Sequence, residues 1–475
     1  MYENNAIPNL EVTKMNLEAI GLILYVILQL VISAVVARNI KTEDDYLLAG
    51  RRLGFGLATF TFFATWFGAE TCIGAVGSVY ERGFSGGYAD PFGYGVCLVL
   101  MGAIFAIPLW RRKLTTVADL YRVRYSPNVE RIAVLLMIPT SVLWAAAQIR
   151  AFSEVLGATT KLQFFEAVTA GAIVCITYTS IGGMKADVIT DLIQGIMLII
   201  GLLILAGILL FSFEGIHKIM HSIPPNRVDL VGGYESVLAG IEDWAIPICG
   251  SITAQELVAR VLSIRSPKIA RNSAISAGVL YVLVGLIPVG CGLIGAILFP
   301  NLSNPEQVLP TLAKHYLPTL PYIVFVGALF SAILSTVDST LLAAAGLGAH
   351  NLIFRIRPDL DDFHKVKITR ISVIIFGIIA WIIALKASSV LHLVEDASSF
   401  GSCGLFVTFV FGIFSKFGGA KAALCAIVTG FVVWFFGKLT GTISYPYITA
   451  LAVSAFSYLA VGTIEKWSAR RMLNS

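Results

Sequence analysis

The sequence predicts an all-α polytopic membrane protein of about thirteen spans, with a core of two five-helix halves in inverted topology. Three observations predict it. The composition is 57% hydrophobic and only 13% charged, with a mean hydropathy of +0.82, whereas a soluble domain carries about 25% charged residues. Apolar runs of bilayer-crossing length recur with centres near Ile27, Phe67, Leu98, Leu143, Val174, Leu198, Cys249, Leu286, Ala332, Ile379, Phe406, Val428 and Val453. The runs near Phe67 and Cys249 are interrupted by glycine, proline and polar residues. Interrupted spans in corresponding positions of two halves mark an inverted repeat with a binding site at its midplane.

The basic residues set the expected orientation. About 25 of the 34 Lys and Arg fall in one set of alternate loops, among them Arg51, Arg111, Arg124, Arg260, Arg265, Arg355 and Arg471. Eight, including Arg82, Lys314 and Lys438, fall in the other set, and Arg150 lies inside a span. This places the N-terminus outside and the C-terminus in the cytoplasm of a multi-pass protein of the plasma (inner) membrane. The net charge of +5 therefore belongs to loops facing the bilayer surface and implies no nucleic-acid partner. Met1 to Asn16 is polar and shows no signal-peptide pattern. The seven cysteines lie in apolar stretches without metal-ligand spacing and read as small buried hydrophobes.

Four segments follow. Residues 1–50 hold the outer N-terminus, a leading helix over Leu17–Ala37 and a cytoplasmic linker. Residues 51–212 form the first repeat, 236–416 the second, and 417–475 two trailing helices with a cytoplasmic tail. Within the first repeat, Leu57–Tyr80 is long enough to span, yet its middle reads Gly68-Ala69-Glu70-Thr71. A carboxylate at membrane depth costs a few kcal/mol unless it is paired. Small and polar neighbours let carbonyls leave the helical ladder, which is tolerated only where they line a cavity or are buried in protein. Leu114–Tyr125 is basic and amphipathic and is expected to lie on the cytoplasmic surface.

The fourth run carries Gln148-Ile149-Arg150. An intramembrane guanidinium calls for a named partner, either a structural pair with Glu70 or Glu154 or a substrate carboxylate. After the fifth run, Gly182-Gly183 makes a tight inner turn, and Asp187, Asp191 and Gln194 then share a helix face. Asp187 reads as a first-turn carboxylate favoured by the helix dipole; Asp191 lies deeper.

The second interrupted run has Glu242-Asp243-Trp244 before Pro247, then Cys249-Gly250-Ser251-Ile252-Thr253-Ala254-Gln255-Glu256. In the ninth run, Ala332, Ser335, Thr336 and Ser339 follow the i, i+3, i+4, i+7 rule, with Asp338 beside that face. Hydroxyls, carbonyls and a carboxylate without thiolate or imidazole suit a hard cation. Glu395 to Ser402 enters the eleventh span from outside, as an outer gate or a polar helix start. The six histidines show no metal-ligand spacing and no Ser/His/Asp set, so the chain is not expected to be an enzyme.

Gly50-Arg51-Arg52, Tyr178-Thr179 … Gly182-Gly183 … Thr190-Asp191 … Gln194, Gln255 … Arg260 … Ala270-Arg271 and Ser335-Thr336 … Ser339 together resemble the sodium:solute symporter family. The resemblance covers about residues 17–440 and implies a LeuT-like 5+5 inverted-repeat core. It implies a sodium site of the carbonyls of Ala64, Phe67 and Ala332 with the hydroxyls of Ser335 and Thr336. It also allows a second sodium or proton site at Asp191, Asp338 and Ser339, where the Asp338 carboxylate departs from the family pattern. The solute is expected between the broken helices, near Gly68, Glu70, Thr71, Gln148, Arg150, Trp244, Ser251 and Gln255. Glu70 and Arg150 depart from the sugar-binding pattern, so a zwitterion such as proline, or another small carboxylate, is the favoured solute.

The expected function is secondary active transport, with a sodium ion as the coupling ion and a small solute and the lipid bilayer as partners. The alternatives are a proton-coupled carrier of the same fold and a membrane solute sensor; the short stretch after the last span argues against the sensor. A passive channel fits the broken helices less well.

Overall fold

The computed structural model describes residues 21–474 apart from 22, 23, 26, 39, 161, 213–220, 222 and 230–235. The expectations for the outer N-terminus and for His217 fall outside the described residues. Among the described residues the chain is helical and forms no sheet; the one bridge pairs Leu53 with Ile264.

Among the described residues, eight helices are long and apolar enough to cross a membrane, or up to ten if each of two bent pairs is one span. The sequence predicted about thirteen. The difference lies in how continuous the helices are. Phe164–Ser212 runs 49 residues, about 74 Å at 1.5 Å per residue, against a hydrocarbon core of about 30 Å. Gly183, at φ 56°, kinks it where the sequence placed the turn. The Glu70–Arg111 run likewise bends through Gly83–Gly93, and Ile27–Ala37 and Phe55–Trp66 are short apolar helices.

A Cβ at Gly183 would lie 2.7 Å from the Tyr46 ring and 3.0 Å from its carbonyl oxygen, at a φ that L side chains rarely adopt. Gly183→Ala is therefore expected to destabilise the protein by about 1–3 kcal/mol, read as a lowered Tm in detergent.

Helix starts are written into the sequence. Ser126, Ser236 and Ser266 each accept a hydrogen bond from the backbone N–H three residues on, and Pro127 and Pro267 follow two of these caps. A proline at the first helical position loses only an N–H that has no partner there. Asp361 caps Asp362–Lys386 in the same way.

Both predicted interruptions are present. Phe55–Trp66 stops at Phe67, and the chain resumes as Glu70–Gly74 and Ala75–Arg82. Val237–Gly250 and Gln255–Ser263 meet at 46°. A third break differs from the sequence reading: Val390–Ser399 is a helix in its own right, bent 44° from Ser402–Phe414. Gly401 in the left-handed region makes that bend. The expected surface helix is short, Ala118–Arg124, and it is anchored by Asp119, which accepts hydrogen bonds from Asn351 and Arg355.

The Thr319–Gly346 helix is buried along most of its length and packs most extensively against Phe164–Ser212 and Pro127–Thr159. Its hydroxyl-bearing face consequently meets only protein.

Candidate cation and solute sites

The first break is held open by side chains. The Gly68 N–H, which would close the helix onto Ala64, donates to Glu70 Oε1 at 3.2 Å; the Ala69 N–H donates to Gln148 Oε1 at 2.9 Å. Gln148 Nε2 donates back to Glu70 Oε2 at 2.7 Å. The carbonyl of Ala64 is thereby released from its ladder partner. Thr336 Oγ1 lies 3.5 Å from that carbonyl and 3.2 Å from the Ala332 carbonyl. Of the oxygens expected around sodium, Thr336 Oγ1 and the Ala64 carbonyl thus meet across the two helices, with Phe67 at the break itself and Ala332 one turn before Thr336. Ser335 sits one residue before Thr336 and donates its hydroxyl to Asp191. An all-oxygen donor set of carbonyls and hydroxyls fits a hard monovalent cation.

Gly68 matters to this geometry through its missing side chain. A Cβ there would run into Thr336 Oγ1 and come within 2.8 Å of Glu70 Oε2 and 2.9 Å of Gln148 Oε1.

The expected second cation site is rearranged. Asp191 accepts from Ser335 and, at 2.5 Å, from Thr61 Oγ1. Ser339 lies 3.3 Å from Asp187 Oδ2. Between these carboxylates stands Arg260, whose Nη2 is 2.5 Å from Asp187 Oδ2, 2.5 Å from Ser339 Oγ and 3.5 Å from Asp191 Oδ2. All three charged side chains are fully buried. Two sequence readings are corrected here. Arg260 is not a loop charge, and Asp187 is half of a buried ion pair rather than a simple first-turn carboxylate. Asp338 is fully buried near the same charges but makes no hydrogen bond to Asp191 or Ser339.

Around Glu70, the expected solute residues divide. Gly68, Glu70 and Gln148 are joined as described. Thr71 bonds Asp90 Oδ2 and the Tyr281 hydroxyl, each at 2.8 Å. Ser251 lies buried at the second break, its hydroxyl without a partner, and Trp244 is half-buried in the first half of that helix. Gln255 points away from the centre, accepting from the Val117 N–H at 2.7 Å.

Arg150 is placed with the structural alternative. It donates to the carbonyls of Ala387 at 2.5 Å and Ser388 at 3.1 Å and pairs with Glu154 at 3.4 Å, not with Glu70.

Beside Glu70 the sequence reading missed an aromatic trio. The Trp66 and Trp144 rings meet edge-on at 5.3 Å, and Tyr94 lies 5.4 Å from Trp66 and 5.7 Å from Trp144. The Trp66 indole N–H is buried without an acceptor, and the Trp144 side chain lies against Glu70. Tyr94 shares a hydrogen bond of 2.9 Å with Ser398. Three distant positions in the chain supply these rings, so no local sequence pattern announces them.

A cavity of about 520 Å³ lies on the face opposite the basic loops, lined by Ser78, Glu81, Arg82, Glu306 and Glu395 among others. On the basic side, two crevices beside Gln255 offer about 10 Å³ each, room for about one water. Glu70 and the trio, all nearly fully buried, lie closed between them.

The profile of the sodium:solute symporter family matches residues 46–430. The chain is 28% identical over 374 residues to a high-affinity choline transporter of Caenorhabditis elegans, covering 73% of this chain and 63%, a little under two thirds, of that protein. Over 434 residues it is 26% identical to the human high affinity choline transporter, covering 86% and 73%. Over 439 residues it is 26% identical to sodium-coupled monocarboxylate transporter 2 of Mus musculus, covering 87% and 70%. Among solved structures, a substrate-bound, outward-open Na+-coupled sialic acid symporter superposes with a TM-score of 0.82 at 18% identity, covering 94% of this chain and 96% of that one. A nucleobase-cation-symport-1 family transporter gives 0.63 at 13% identity, covering 91% and 95%. The fold is the LeuT-like one that the sequence predicted.

Proposed function

The chain belongs to the sodium:solute symporter family, and from that premise we propose that it couples sodium influx to uptake of a small organic cation of the choline type. Sodium as the co-transported ion and a multi-pass place in a bilayer come with the family. The expectation of proline finds no support in the relatives, which are named for choline and for monocarboxylates.

The observation that favours the cation is the pairing of the Trp66–Tyr94–Trp144 trio with the buried Glu70 carboxylate. A quaternary ammonium is attracted to aromatic faces by their quadrupole, by about 2 kcal/mol where the site is dry, and a carboxylate nearby adds charge complementarity. An anionic solute would need a free basic group, but Arg150 is engaged by Glu154 and Arg260 by Asp187. In this reading the rings part to admit the solute, and Gln148 keeps Glu70 oriented.

Sodium would be held by the carbonyls of Ala64, Phe67 and Ala332 and the hydroxyls of Ser335 and Thr336, tying the first broken helix to the Thr319–Gly346 helix. The coupling is short-range. The Gly68 amide that frees Ala64 for the ion is the same amide that Glu70 holds, so fixing the break for sodium also fixes the carboxylate for the solute. Each ligand then raises the affinity for the other. By the positive-inside rule the basic face is cytoplasmic in a plasma (inner) membrane, so each charge moving inward down 100 mV supplies about 2.3 kcal/mol.

The test is uptake into proteoliposomes under an inward sodium gradient, with choline and lactate as labelled solutes. Choline should accumulate only with sodium; uptake of lactate without choline would overturn the reading. Uptake that follows a pH gradient instead would move the coupling to the buried Asp338. Trp144→Leu should weaken choline binding about tenfold or more, measured by isothermal titration, with sodium affinity moving less.

A further inference from the structure

Arg260 is held by Asp187, yet the half-helix that carries it also carries a second buried carboxylate. We propose that Glu256 is the alternate partner of Arg260, taking the guanidinium when the second broken helix tilts away from Asp187 to open the basic side. This rests on the symport reading above, in which the basic side opens once in every cycle, and it names the residue that eases that step.

Both side chains are incomplete where they meet. Glu256 is 3% exposed; its Oε2 lies 3.4 Å from Ser141 Oγ on Pro127–Thr159, and its Oε1 has no hydrogen-bond partner. Arg260 Nη2 meets Asp187 and Ser339, but the Nε of the same guanidinium is buried without an acceptor. Both residues line one crevice with room for about one water, and Glu256 lies within electrostatic reach of Arg260. A buried carboxylate oxygen and a buried N–H are each costly to leave unpaired. A contact between them, direct or through one water, relieves both.

The sequence sets the reach. Glu256 and Arg260 stand at i and i+4 on Gln255–Ser263, the basic-side half of the second broken helix. Their Cβ atoms are therefore about 5–6 Å apart on one face, and glutamate before arginine is the favourable order. The two move together. Asp187, by contrast, belongs to Phe164–Ser212 and Ser339 to Thr319–Gly346. Tilting the half-helix away from those elements breaks the Nη2 bonds, and a buried charge that loses its partner is strongly disfavoured. Glu256 travels on the same half-helix, so Arg260 keeps a carboxylate throughout. The contact that Glu256 gives up is the long one to Ser141, so little is lost in the exchange.

The experiment reads the opening itself. Ala343 is buried and lines the same crevice, so Ala343→Cys reacts with a water-soluble maleimide only when the basic side opens; labelling of the protein without that substitution is subtracted. Adding Glu256→Gln, which keeps the shape and removes the charge, should slow the reaction about tenfold or more, the effect of losing one charge-assisted interaction from the open state. Glu256→Asp, a methylene shorter, should fall between. A carboxylate that only fastened the closed state to Ser141 would act the other way. Labelling of the Glu256→Gln variant as fast as without it, or faster, would overturn the proposal. Where Glu256→Gln does not fold, Glu256→Asp decides by the same criterion. Slowed labelling together with choline uptake indifferent to sodium would keep the partner exchange and refute the symport reading.

Discussion

Replacing Thr336 with alanine should raise the sodium concentration for half-maximal choline uptake roughly 10- to 150-fold. Thr336 brings its hydroxyl to 3.5 Å from the Ala64 carbonyl and 3.2 Å from the Ala332 carbonyl of its own helix. The loss of one interaction with a charged partner in a buried site is about 1.5–3 kcal/mol, and each 1.4 kcal/mol is tenfold. Thr336→Ser keeps the oxygen and should stay near wild type. The measurement is a sodium titration of uptake at fixed choline. If the alanine variant titrates like wild type, the ion is not held at the first break.

The second large effect concerns the buried ion pair. Asp187→Ala leaves the fully buried Arg260 with Asp191 only at 3.5 Å, and breaking such a pair from one side costs about 3–5 kcal/mol. The expected result is a clear fall in Tm in detergent, or loss of folded protein on expression. Removing both charges with Asp187→Leu and Arg260→Met should recover most of the stability, because well-packed apolar replacements of a buried pair are often neutral or better. An Asp187→Ala variant as stable as wild type would show that the pair does not hold the repeats together.

How far the sequence could be read follows from how local each signal is. The break at Gly68 was legible because a carboxylate and a glycine interrupt an apolar run within four residues, and the structure then put Gln148 on that carboxylate. The hydroxyl face of the Thr319–Gly346 helix was legible because i, i+3, i+4 spacing is a property of one helix. Arg260 was not legible. Charge counting assigns an arginine to the nearest loop, and only the tertiary structure shows that its half-helix dips into protein. The number of spans was blurred by helices that run on through a kink, as at Gly183. The aromatic trio was hidden because Trp66, Tyr94 and Trp144 each read as ordinary span residues until three helices bring them within 6 Å.

That trio and the sodium cradle meet at the same four-residue break, and their linkage is the central claim. The direct test is a choline binding isotherm on purified protein, in sodium and in potassium at equal ionic strength. Binding at least about tenfold tighter in sodium, with the difference lost in Thr336→Ala, is the predicted result. Equal affinity in the two salts would contradict the account.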